Sequence, residues 1–78
     1  MLKVGDYVII KRLIGDETIN AKKSIGKAGK VFGISEEKSA RYPIQVRFIK
    51  SFENCTELAY SEEELEKINE HDLLAYLI

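Results

Sequence analysis

Tryptophan is absent from this sequence, and cysteine, histidine, proline and methionine each occur once. A single cysteine, Cys55, closes no internal disulfide and has no second thiol nearby to clamp a metal. That usage predicts a reducing compartment and a cytoplasmic protein. No apolar run approaches the ~20 residues that cross a bilayer, so no membrane partner is expected. The opening Met1-Leu2-Lys3-Val4-Gly5-Asp6 places a charge and a turn where a secretory leader needs its apolar stretch. A chain of 78 residues has room for one core. Without a disulfide or metal, that core must be tightly packed or shared with a partner.

Chemistry is sparse as well. Catalysis needs a nucleophile with a base, a pair of tuned carboxylates, a metal site or a phosphate cradle. The lone His71 neighbours Asp72 close to the C-terminal end, and Cys55, between Asn54 and Thr56, has no adjacent positive charge to activate its thiol. Gly26-x-x-Gly29 leads into a strand pattern, so no helix N-terminus follows it to hold a phosphate. Glu62-Glu63-Glu64-x-Glu66 fits no calcium-loop spacing and reads as a solvated face. The expectation is a chain with no catalytic residues, no metal site and no cofactor.

What is present is an ordinary globular composition, 45% hydrophobic and 32% charged, with its charge unevenly divided. Residues 1–50 hold eleven Lys/Arg against five acids, a net of +6, and residues 51–78 hold one lysine against eight acids, a net of −7. Such asymmetry points to charged partners, or to two halves that neutralise each other across the fold.

The apolar pattern is that of strands. Tyr7-Val8-Ile9-Ile10 follows a Gly-Asp turn, and period two puts Val8 and Ile10 on the core side. Leu13 to Lys27 reads as a long polar loop, a size that in a small domain tends to serve function. Gly29-Lys30-Val31-Phe32-Gly33-Ile34 is a second strand whose glycines predict a bulge or a tight corner. Pro43 opens a third, Ile44-Gln45-Val46-Arg47-Phe48, with faultless alternation. Lys50 to Thr56 reads as a loop and Glu57 to Tyr60 as a fourth strand. Ser61 and Glu64 form a capping box for one helical turn, followed by a last strand, Glu66-Lys67-Ile68. Asn69 caps a short C-terminal helix with Glu70 and Asp72 in its first turn. Leu73, Leu74, Leu77 and Ile78 share one face of that helix. Five short strands with tight turns predict a mainly β fold, a small closed or partly open barrel.

Val4-Gly5-Asp6-Tyr7-Val8 and Gly26-Lys27-Ala28-Gly29-Lys30-Val31 resemble the Gly-Asp-x-Val and Gly-x-x-Gly-x-Val elements of KOW-like and related SH3-like barrels. Tyr42-Pro43-Ile44-Gln45-Val46-Arg47-Phe48 and Tyr60-Ser61-Glu62-Glu63-Glu64-Leu65 extend the likeness. They are similar to the small SH3-like proteins of phages and mobile elements, and to peripheral barrel subunits of photosynthetic complexes. The resemblance implies a five-stranded SH3-like barrel over residues 1–68, with a long first loop and one helical turn before the last strand, followed by a C-terminal helical extension over 69–78. SH3-like barrels host many unrelated functions, so it implies binding without naming a ligand.

Two surfaces are candidates. The first is basic: Lys22, Lys23, Lys27 and Lys30, with Arg41 and Arg47, would take nucleic acid or an acidic partner. The second is acidic and then apolar: Glu62 and Glu63 with Leu73, Leu74, Leu77 and Ile78. Those four apolar residues either cap the end of the barrel or form a protein interface. The leading expectation is a non-catalytic protein–protein interaction module that docks on or inhibits a larger assembly. If the phage likeness holds, that assembly is host machinery. The alternative is a KOW-like RNA- or DNA-binding barrel using the Lys22–Lys30 loop. A homodimer through the C-terminal segment, and an accessory subunit of a redox complex, are further options.

Overall fold

The computed structural model describes residues 1–15 and 18–76. β1 (Tyr7–Ile10) is launched by a tight turn. Gly5 takes φ +98°, a backbone state that other residues rarely adopt. The Asp6 carboxylate accepts the Lys3 backbone N–H at 3.0 Å. β1 lies antiparallel to β2 (Ala28–Ile34) on one side and to β5 (Leu65–Ile68) on the other. β3 (Ile44–Phe52) pairs with β2 and with β4 (Cys55–Tyr60), giving the order β4-β3-β2-β1-β5. The fold is therefore mainly β with five strands. Among the described residues β4 and β5 share no ladder, so the sheet is not closed and the expected barrel is not confirmed. The short link of Ser61 and the 3₁₀ turn Glu62–Glu64 delivers β5 to β1, where all four of its residues are paired.

Alternation sets the two faces. Val8, Ile10, Val31, Ile44, Val46, Phe48, Cys55, Tyr60 and Leu65 form one buried cluster with Leu2, drawing on every strand. Burying such side chains contributes about 1.5–3 kcal/mol each before chain entropy is counted. Gly29 allows the close approach of β3. A Cβ there would lie 2.4 Å from Val46 Cγ1 and 2.9 Å from the Arg47 carbonyl oxygen. The register of β2 against β3 shifts between Val31 and Gly33, a bulge at the expected glycine that leaves Phe32 without an opposite residue.

Two expected loops are shorter than their sequence suggests. The segment after β1 contains a helix, α1 (Ile19–Ser24), whose N-cap Thr18 accepts the Ala21 N–H at 3.3 Å. It buries Ala21 and Ser24, and Tyr60 donates its hydroxyl to Ser24 Oγ at 2.7 Å, tying α1 to β4. β3 runs on to Phe52 and turns through Glu53 and Asn54, both at positive φ (49° and 61°), as a two-residue hairpin of the I′ kind requires.

The C-terminal helix is present as α2 (Glu70–Leu73), continued by a 3₁₀ turn, Leu74–Tyr76. The Asn69 side chain accepts the Asp72 N–H at 2.7 Å. Leu73 is buried with Ile9 and Ala28, against Tyr7 and Ile68, so α2 lies on the outer face of β1, β2 and β5.

Candidate protein-docking surface

The structure divides the six basic candidates into three groups. Lys22 and Lys23 end α1, and Lys27 follows it, close to the β3–β4 hairpin. Lys23 Nζ lies 3.2 Å from Glu53 Oε1 in the turn, and the Lys27 ammonium sits 5.6 Å from the centre of the Phe52 ring. Lys30 and Arg47 stand directly opposite each other on the outer face. Each covers an aromatic ring: Lys30 lies 5.4 Å from the Tyr7 centroid and Arg47 4.4 Å from that of Phe32. Arg47 also pairs with Glu57 at 3.3 Å. Arg41 is elsewhere, over the Tyr42 ring and beside Gly15.

The register makes the outer face a continuous row: Ile68, Tyr7, Lys30, Arg47 and Glu57 lie side by side across all five strands. The facing Lys30 and Arg47 are like charges, a mildly destabilising arrangement relieved by the Glu57 carboxylate and the ring faces.

The acidic stretch is an anchor as much as a surface. Glu64 is fully buried; its carboxylate accepts the Ser61 N–H at 2.7 Å, the Ser61 hydroxyl at 3.1 Å and the Ile14 N–H at 2.7 Å. Glu62 accepts the Leu2 N–H at 2.8 Å, holding the start of the chain against the 3₁₀ turn. Glu63 is exposed. The capping spacing was legible; the tie to Ile14, fifty residues away, has no local signal in sequence.

Of the apolar candidates, Leu73 is covered and Leu74 is 60% exposed; Leu77 and Ile78 lie outside the described residues. Tyr76, 47% exposed, joins Gly26, Lys27, Ile49, Lys50 and Phe52 around a groove of about 360 Å³. Ile49 in its wall and Ile25 beside it are exposed, and among the described residues no carboxylate lines it. Ile49, Lys50, Phe52 and Tyr76 escaped the sequence reading. Their signal was the break in alternation at Phe48-Ile49, where adjacent apolar residues must face opposite sides of the sheet.

Groups for bond-making chemistry are kept apart. The Cys55 thiol belongs to the buried cluster, whereas His71 is exposed on α2, on the other side of the sheet. Among the described residues no three His, Cys, Asp or Glu side chains come together to hold a metal ion. Among them, too, no helix is long and apolar enough to cross a membrane.

A small open five-stranded sheet with a helix laid on its outer face is the class to which the chain belongs. A solved structure of the same fold is the solution structure of the cyanobacterial cytochrome b6f complex subunit PetP. It is 18% identical, superposes with a TM-score of 0.63, and the match covers 87% of this chain and 81% of that one. At that identity the likeness establishes the fold. No family model and no curated protein matches the sequence. Of the likenesses read from sequence, the one to peripheral subunits of photosynthetic complexes is consistent with this structure, which does not confirm the KOW-like and mobile-element likenesses.

Proposed function

We propose that this chain is a non-catalytic docking subunit of a larger protein assembly, and that it docks through the groove at the β3–β4 hairpin and the exposed C-terminal turn. The observation that carries the reading is the groove itself: exposed Ile49 and Tyr76 with Lys27 and Lys50 around them and no acid among the described lining residues, with Leu74 exposed on the C-terminal turn that carries Tyr76. An apolar centre with a single sign of charge at its rim suits a partner segment with apolar side chains flanked by carboxylates. The basic rim steers the encounter and the apolar side chains supply the contact energy. The likeness to PetP, itself a complex subunit, favours an accessory subunit of an electron-transfer complex over an inhibitor of host machinery, which rests on the mobile-element resemblance alone.

The test is the sedimentation of a tagged chain in extract of cells that express it, treated with nuclease. The wild-type chain is expected to travel with a large protein assembly, and a Leu74→Asp/Lys50→Glu variant to stay at the top of the gradient with unchanged circular dichroism. Equal sedimentation of both, or a wild-type chain that stays at the top, removes the proposal.

A second reading has its own observation. On the outer face, Tyr7 with Lys30 and Phe32 with Arg47 alternate rings and cations, the ingredients of a single-strand stacking surface, with Lys22, Lys23 and Lys27 on the hairpin side. It requires affinity for single-stranded RNA or DNA that falls steeply with salt, with a log–log slope of about −0.7 per phosphate neutralised. A slope near zero removes it.

A further inference from the structure

The two edges of the sheet differ. β5 is short, carries Glu66 and Lys67 at its centre, and is followed at once by α2, which packs on the adjoining face. β4 lies on the opposite edge with six residues, no proline, a regular register against β3 from Glu57 to Tyr60 and a single charge, Glu57. Natural sheets usually blunt an exposed edge with such devices, because its unpaired N–H and C=O groups template another strand. Among the described residues, the hydrogen bond to the backbone of Thr56 to Ala59 besides the β3 ladder is the one that the Cys55 thiol donates to the Glu57 carbonyl at 3.7 Å. Leu58 is only half-buried, although its side chain packs against the core cluster.

We propose that the β4 edge pairs antiparallel with β4 of a second copy of this chain, joining two sheets into one. The strand is self-complementary in one register. Opposite residues of an antiparallel pair lie on the same face, so a two-fold pairing must place inward Leu58 against inward residues and outward Glu57 and Ala59 against outward ones. Centred on Leu58, it sets Leu58 against its own copy and covers the apolar surface that each monomer leaves half open. It sets Glu57 of each copy opposite Ala59 of the other. The alternative centred on Glu57 would bring two carboxylates face to face. Ala59 is small, and a hollow of about 310 Å³ lined by Phe32, Gln45, Glu57, Leu58 and Ala59 adjoins it, leaving space for the incoming Glu57 side chain beside the Gln45 amide. The contact is a few residues per strand, well below a standard interface, so the dimer is weak and concentration-dependent. It uses a different surface from the docking groove, and neither proposal depends on the other.

The test is sedimentation equilibrium of the full chain from about 10 μM to about 1 mM, the span in which small interfaces associate. The wild-type chain is expected to shift from monomer towards dimer across that range. Ala59→Glu, which places two Glu–Glu pairs across the two-fold, is expected to weaken association about five- to thirty-fold. Ala59→Lys, which faces Glu57 of the other copy, is expected to associate at least as well as wild type. Because the readout is the opposite sign of two charge changes at one exposed site, general destabilisation of the fold cannot imitate it. A wild-type chain that stays monomeric, or Glu and Lys variants that associate equally, overturns the proposal.

Discussion

Glu64→Ala should be among the most damaging single substitutions in this chain, although Glu64 sits in a run of glutamates that reads as surface. The side chain is fully buried and takes three hydrogen bonds, two of them from the backbone N–H groups of Ser61 and Ile14. Alanine leaves those two donors without their acceptor, at about 1–3 kcal/mol each, and opens a cavity worth roughly another 1 kcal/mol. Relief of the buried charge offsets part of this. The net expectation is a loss of about 3–5 kcal/mol. A domain of this length holds roughly 4–12 kcal/mol in total, so the variant would be close to unfolding at 25 °C. Glu64→Gln keeps an acceptor for one N–H but turns an amide donor towards the other, costing about 1–3 kcal/mol. Glu63→Ala, at an exposed neighbour, should stay within about 0.5 kcal/mol. Urea unfolding followed by circular dichroism reads these directly: with a slope near 1 kcal/mol/M, the Glu64→Ala midpoint should fall by roughly 3 M or more. If Glu63→Ala costs as much as Glu64→Ala, or Glu64→Ala shifts the midpoint by less than about 1 M, the anchoring role is wrong.

Three further outcomes follow from the geometry. Gly29→Ala would drive a Cβ into Val46 and the Arg47 carbonyl and should cost about 1–3 kcal/mol; a neutral result in a thermal melt would show that β2 and β3 are not so close. Replacing Glu53-Asn54 by Asn-Gly suits the two positive φ values and should stabilise the hairpin by about 0.5–1 kcal/mol, less a few tenths for the exposed Lys23 pair; a lowered melting temperature would contradict the turn. Leu73→Ala removes the apolar contact of α2 with Ile9 and Ala28 and should cost about 2–3 kcal/mol, with amide exchange faster in residues 70–76 than in β3; uniform acceleration throughout the sheet would mean that α2 is integral to the core.

The central strands were legible because one rule governs them: Ile44, Val46 and Phe48 alternate without interruption, and all three are buried. Val8 and Ile10 followed from the same rule. α1 was not legible, since six residues with an exposed Ile19 and a lysine pair show no apolar stripe; its burial comes from Ala21 and Ser24, the latter held by a hydroxyl from Tyr60 that no local pattern announces. The extension of β3 through Lys50 and Ser51 was hidden by their polarity and by the irregular register opposite β4. Openness of the sheet is a property of how β4 and β5 are spaced, and alternation within each strand carries no information about it. The docking surface was half visible: Leu74 and Lys27 stood out in sequence, but Ile49 and Tyr76 meet across the groove only once α2 folds back over β1 and β2.

The most direct measurement of the docking account is site-specific photo-crosslinking in intact cells, with the crosslinking residue placed at Ile49, Leu74 or, on the far loop, Glu36. Positions 49 and 74 are expected to yield a discrete adduct with one protein of a large assembly, and position 36 to yield none. Adducts of equal strength from position 36, or adducts from positions 49 and 74 that nuclease destroys, would contradict it.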